Sequence, residues 1–149
     1  MRAPARVRFE RLHKLIERIN YESENGNVII VEGARDKDSL RRLGVKGKIL
    51  CLQSSRRNTF EFAEQLGGEK RVIVMTDFDR QGVFLAHRLS RVLNSQDVHA
   101  NLLLWRELRS LTRSELRSIE ELPRLYERLE SEIVSHRTIV SDQRRHARA

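Results

Sequence analysis

The hydrophobic positions of this chain fall into short continuous runs separated by stretches with helical spacing. Apolar runs at 28–31, 48–52 and 72–75 predict strands buried on both faces, and a fourth strand is predicted at 98–104. Between the runs, apolar residues recur every three or four positions, which predicts three crossover helices. Strands alternating with helices predict an α/β domain with a four-stranded parallel, Rossmann-like sheet. Analogy with doubly wound folds gives the strand order 2-1-3-4.

Helical segments flank the predicted sheet domain, which spans residues 27–104. Residues 1–26 form an amphipathic helix that ends at Asn25-Gly26, and residues 105–135 form a helical extension. A capping box from Thr112 to Glu115 opens that extension, and Pro123 is expected to kink or divide it. Residues 136–149 are predicted to form a basic, flexible tail. Either amphipathic end helix is suited to a protein partner or to a second copy of the chain.

The charge balance points to an anionic partner. The 149 residues carry a formal net charge of +8, and 24 of the 29 basic residues are arginine, a side chain suited to phosphate. Nucleic acid is therefore the expected partner, and no apolar run is long enough to span a membrane. The single cysteine, Cys51, excludes internal disulfides and a cysteine-based zinc site. No apolar signal core is present, so we expect a cytoplasmic protein.

Carboxylates follow two of the predicted strands. Glu32 ends the first strand, and Asp77 and Asp79 follow the third. In the order 2-1-3-4 the strand order reverses between strands 1 and 3, so these side chains are expected to share one cleft. Clustered carboxylates repel each other, and a hard divalent cation, Mg²⁺ or Mn²⁺ as its substitute, relieves that repulsion through oxygen ligands alone.

Other interpretations of the same residues remain open. Asp77 and Asp79 are equally compatible with helix capping, and for Asp36 or Asp38 an N-cap role is the leading interpretation. Loops on the same rim supply cations that could neutralise phosphate: Arg35, Lys37, Arg56, Arg57 and Arg80. Gly33 and Gly82 would let backbone come close to a ligand.

Two motifs resemble those of the Toprim superfamily, whose members include type IA topoisomerases, bacterial-type primases and a ribosomal RNA maturase. They are VIIVEGARD at 28–36 and VIVMTDFDRQG at 72–82. The resemblance implies that Glu32 is a general acid/base and that Asp77 and Asp79, with Glu32, hold Mg²⁺. Asp36 matches a frequent additional acid of the family. Gln81 and Val83 stand where the topoisomerase form carries acids, so this site has fewer carboxylates.

The resemblance implies a Mg²⁺-dependent enzyme that processes phosphodiester bonds of RNA or DNA, foremost a nuclease. A topoisomerase needs a separate tyrosine-bearing domain, and a replicative primase of this superfamily carries a zinc module. The chain instead resembles the small stand-alone Toprim proteins found in archaea and some bacteria. Two alternatives stay open: a non-catalytic module that binds nucleic acid or docks on a complex, and nucleotidyl transfer by a minimal primase-like protein.

Overall fold

A parallel sheet forms the centre of the protein in the computed structural model, which describes residues 3–54, 58–69 and 71–148. Its strands are β1 (Val28–Val31), β2 (Ile49–Cys51), β3 (Arg71–Val74) and β4 (His99–Asn101). They are ordered β2-β1-β3-β4, and every neighbouring pair is parallel. The α/β class and the predicted strand order are therefore confirmed. Because β1 and β3 are central, their side chains are almost entirely buried.

Helices surround this sheet in two groups. They are α1 (Ala5–Glu24), α2 (Ala34–Arg42), α3 (Thr59–Gln65), α4 (Arg80–Ser95), α5 (Leu103–Thr112) and α6 (Leu122–Arg148), with a 3₁₀ turn at Ile119–Glu121. Helices α3 and α4 pack on each other, whereas α1 packs on both α5 and α6. Helix α2 contacts the 3₁₀ turn and α6. In the described ranges no helix has the length and apolar character needed to cross a membrane.

The fourth strand is shorter than predicted, and the helix that follows it begins at Leu103, inside the predicted strand. The strand ends at Asn101, whose side-chain oxygen accepts a hydrogen bond from the Leu103 amide at 2.8 Å. From there α5 buries Leu104, Trp105 and Leu108 at helical spacing. The prediction of a strand over 98–104 was therefore wrong in its second half. A short apolar run cannot by itself distinguish a buried strand from the start of a buried helix.

The C-terminal extension also begins differently from the prediction. Thr112 ends α5 instead of capping a helix, and its hydroxyl donates to the Leu108 carbonyl. The side chain of Glu121 instead accepts from the amides of Ser118 and Arg117, so the capping box lies at 118–121.

Pro123 does not divide the helix that follows. It lies in the first turn of α6, where its missing N–H has no intrahelical partner to lose. Residues 136–148, expected to form a flexible tail, continue α6 as a largely exposed helix. The basic character of this segment therefore belongs to the surface of a helix.

Three contacts fix the end of β3. The indole N–H of buried Trp105 donates to the Thr76 carbonyl at 2.9 Å, and the Thr76 hydroxyl donates to the Gly82 carbonyl at 2.8 Å. Gly82 itself lies so close to Asp77 that a Cβ atom would overlap the Asp77 carbonyl group. Residues 76–79 are therefore held between α5 and the first turn of α4.

The substitution Gly82→Ala should destabilise the protein because the added methyl group meets rigid backbone. We expect a loss of about 1–3 kcal/mol in the free energy of unfolding, typical of overpacking. Gly68→Ala is the matched control, since a Cβ atom there meets nothing within 4 Å. Urea unfolding of both variants measures the difference, and equal stabilities would contradict the close approach.

Candidate functional site

The carboxyl ends of β1 and β3 meet at the centre of the sheet. These strands are neighbours, with Ile30 opposite Val74, whereas β2 and β4 lie on their outer sides. Glu32 directly follows β1, and its Oε2 accepts a hydrogen bond of 2.7 Å from the amide of Asp77, which follows β3. The strand order therefore brings these two carboxylates together at the switch point, as the sequence predicts.

The 3₁₀ turn reaches the same point from the C-terminal extension. The Ile119 amide donates to Oδ1 of Asp77 at 3.0 Å, and the Phe78 amide donates to the Arg117 carbonyl at 2.7 Å. A carboxylate that accepts backbone N–H bonds has a fixed orientation as well as a fixed position. Residues of the extension therefore orient the Asp77 side chain.

Asp36 completes the carboxylate cluster from the first turn of α2. The N-cap of α2 is Gly33, not Asp36 or Asp38, so the predicted cap position was wrong. Asp36 lies three residues later and is buried, and its Oδ2 accepts from the Gly33 amide at 3.1 Å. The backbone of Glu120 also lies near its carboxylate and acts to lower its pKa. The 3₁₀ turn thus contacts two acids of the cluster.

Burial and mutual repulsion change the acidity of this cluster. The pKa of Glu32 is raised to about 7, mainly by burial and also by the negative charges of Asp77 and Asp36, against the opposing effect of the hydrogen bond from the Asp77 amide. Burial and then the charge of Asp77 raise the pKa of Asp36 to about 6, against the hydrogen bond from Gly33. Both acids therefore titrate near neutral pH.

Asp79 has a different environment. Its side chain is exposed, and its Oδ1 accepts a hydrogen bond of 2.7 Å from the Gly82 amide as the N-cap of α4. Asp79 is therefore the helix cap, whereas the Asp77 carboxylate accepts a hydrogen bond from the C-terminal extension. The cap holds the Asp79 carboxylate at the start of α4, two residues beyond Asp77.

The oxygen donors at this edge fit a hard divalent cation. Among the described residues, no three His, Cys, Asp or Glu side chains form a ready-made group of metal ligands. Mg²⁺ does not require one, because it usually keeps several waters and uses one or two carboxylates. The contact between Glu32 and Asp77 supplies such carboxylates, and the raised pKa of Glu32 reflects burial and nearby negative charge that a cation would offset. The residues present therefore fit Mg²⁺.

The predicted cations occupy the rim in different ways. Arg35 is exposed and lies 3.7 Å from Glu120 in a surface ion pair, a contact of little energetic weight. Lys37 lies half-buried in the first turn of α2, and Arg80 is exposed as the first residue of α4. The remaining two, Arg56 and Arg57, fall outside the described residues.

The two predicted close-approach glycines face protein atoms. Gly82 is packed against the backbone of Asp77, and the space beside Gly33 is taken by the side chain of Gln53. Position 82 therefore requires a glycine because α4 packs closely on residues 76–79. At Gly33 the neighbour is a flexible side chain, so the requirement is weaker.

Sequence reasoning missed a group of arginines beside Asp79. A cleft of about 480 Å³ is lined by Asp79 and by Arg80, Arg109, Arg113 and Arg117. Three of these arginines belong to α5 and the segment after it. The available signal was the four-residue spacing from Arg109 to Arg113 to Arg117, but only a correct boundary for α5 turns that spacing into a shared surface.

Comparisons with known proteins place the chain among small proteins of one domain family. The family model described as "Toprim domain" matches residues 27–103. A UPF0292 protein of Methanosarcina acetivorans is 38% identical over 120 residues, covering 78% of this chain and 81% of its own. Another, from Pyrococcus furiosus, is 39% identical over 121 residues, with coverages of 81% and 88%.

The fold comparison gives the same result. A solved structure of a protein from Aquifex aeolicus superposes with a TM-score of 0.61 at 24% identity, covering 72% of this chain and 94% of that one. At this level of identity the likeness concerns the fold alone.

The raised pKa values of Glu32 and Asp36 predict how stability depends on pH without metal. A carboxylate whose pKa is raised by folding contributes stability below its unfolded pKa, and that contribution is lost as pH rises through the folded value. For Glu32 the window runs from about 4.5 to about 7. In EDTA, the thermal midpoint of the wild-type protein should therefore fall between pH 5 and pH 8, and by less in Glu32→Gln. Circular dichroism measures both, and parallel curves would contradict the assignment.

Proposed function

The chain belongs to the Toprim family, and from that premise we propose that it is a Mg²⁺-dependent nuclease that hydrolyses phosphodiester bonds in RNA or DNA. Toprim domains typically bind divalent cations such as Mg²⁺ and function in association with nucleic acids. The observation that carries the proposal is the contact between Glu32 and the Asp77 amide at the switch point. This contact supports the proposal because it holds the Glu32 carboxyl group beside Asp77, the candidate metal ligand.

Glu32 is suited to move a proton. A general acid or base works best when its pKa lies near the operating pH, and burial raises the pKa of Glu32 to about 7. The Asp77 amide holds Oε2, so the carboxyl group is oriented before substrate arrives. In this proposal Glu32 exchanges a proton with the water or the sugar oxygen at the bond being cleaved.

Asp77 and Asp79 are the residues that would hold the metal, with Glu32 beside them. Each aspartate has one oxygen that accepts a backbone amide, from Ile119 and Gly82 respectively, so both carboxylates are positioned in advance. When bound, Mg²⁺ would polarise the phosphate and stabilise negative charge in the transition state. Arg35, Lys37 and Arg80 would position neighbouring phosphates.

The substitutions Asp77→Asn and Glu32→Gln should each reduce Mg²⁺-dependent cleavage by at least about 100-fold. Both keep an oxygen that can accept the backbone amide while removing the negative charge. Cleavage of end-labelled single-stranded, duplex and structured RNA and DNA is measured with Mg²⁺, with Mn²⁺ and with EDTA. Asp38→Asn, an exposed acid on α2, is the matched control and should retain activity.

The outcomes separate the candidate functions. Cleavage that survives Asp77→Asn in a folded protein would overturn the proposed site. Binding of nucleic acid without cleavage, unchanged by EDTA and by Asp77→Asn, would favour the non-catalytic binding module. Extension of a primer from nucleotides would favour the primase-like alternative.

A further inference from the structure

The arginine-lined cleft beside Asp79 has the chemistry of a phosphate site. Arg80, Arg109, Arg113 and Arg117 surround about 480 Å³, and Asp79 is the acidic residue among them. In residues 3–54, 58–69 and 71–148, none of these four guanidinium groups forms an ion pair within 4.0 Å. Planar guanidinium groups match phosphate oxygens in pairs of hydrogen bonds. The cleft therefore presents positive charge that the described residues do not neutralise.

Backbone and ring contacts fix the walls of this cleft. The Arg117 carbonyl accepts from the Phe78 amide at 2.7 Å, which ties the segment after α5 to the loop that carries Asp79. The Cζ atom of Arg109 lies 5.8 Å from the ring centroid of Trp105, which is buried against the end of β3. The cleft thus keeps a fixed relation to the carboxylate site.

Arg109 carries a further indication that an anion binds here. Its Nε atom is buried, and no acceptor among the described residues reaches it. A buried donor without a partner is costly, and that cost is recovered when a ligand oxygen accepts the bond. A phosphate at the cleft would supply oxygens of the required charge.

A second basic groove adjoins the cleft. It encloses about 760 Å³ between α1 and α5, and Ser114 lines both cavities. Arg11, Lys14 and Arg106 line it without an ion pair in the described part of the chain, whereas Arg8 is paired with Glu115. Arg113 directly follows α5 and lies about two turns beyond Arg106, about 10 Å along the helix axis.

We propose that the cleft and the groove form one path for the phosphate backbone of a nucleic-acid strand, which leads from Asp79 along α5 to α1. This path rests on the proposed function, because it gives the strand cleaved at the carboxylate site its direction. It lies mainly on elements outside the family match at 27–103. The unpaired cations, the orphaned donor of Arg109 and the shared wall at Ser114 favour an extended polyanion over a single free phosphate.

The test is binding measured without catalysis. Fluorescence anisotropy with labelled single-stranded RNA and DNA oligonucleotides in EDTA reports affinity independently of metal and turnover. The double variant Arg113→Glu/Arg117→Glu should weaken binding by at least about tenfold and Arg11→Glu/Lys14→Glu by a smaller factor. Neutral Arg113→Gln/Arg117→Gln should lower the slope of log affinity against log salt by about 0.7 per lost phosphate contact.

A matched control separates this path from overall charge. Arg144→Glu/Arg145→Glu changes the net charge equally on an exposed face of α6 and should leave affinity nearly unchanged. Three results would overturn the proposal. The control could lose as much affinity as the path variants, both double variants of the path could keep the wild-type affinity, or the wild-type protein could fail to bind.

Failure of the nuclease proposal gives a different result. If binding depends on the path arginines but no cleavage occurs, the proposed path is supported and the nuclease proposal is contradicted. If cleavage occurs and does not depend on these arginines, the nuclease proposal is supported and the proposed path is contradicted. The ratio of RNA to DNA affinity identifies which backbone the path accepts.

Discussion

The hydrogen bond from the Asp77 amide to Glu32 is the contact on which the site depends. It can form only because β1 and β3 are neighbours with the same direction, so that their carboxyl ends reach one edge. It also requires the chain after β3 to turn sharply into α4, which Gly82 permits and Trp105 supports from the opposite side. This arrangement holds partly buried acids close together, and the pKa values of Glu32 and Asp36 are raised as a result.

Much of this core could be predicted from sequence because the signals are local and the geometry of parallel sheets is restrictive. Continuous apolar runs predicted β1 and β3. Because the order 2-1-3-4 makes these strands neighbours, it also predicted that Glu32 and Asp77 lie close together. The motifs at 28–36 and 72–82 occupy the ends of these same two strands.

The parts that failed depend on tertiary context. The run before Trp105 is compatible with strand or helix until its burial partners are known, so the start of α5 was assigned to the fourth strand. Two capping-box patterns compete after residue 111, and only the contact of Ile119 with Asp77 selects the second. Arg109, Arg113 and Arg117 converge only once α5 is in place, which is why the cleft could not be read from the sequence.

The alignments with the UPF0292 relatives cover about 120 residues, more than the 77 residues from 27 to 103 that match the domain model. The likeness to these proteins therefore includes part of the flanking helices. The 3₁₀ turn at Ile119–Glu121 shows what those flanks provide, since the Ile119 amide donates to Asp77 and the Glu120 backbone lies near Asp36. The Toprim domain in this chain is consequently not a detachable module: a fragment ending at the domain boundary would keep every acidic residue of the site but lose the Ile119 amide that orients Asp77.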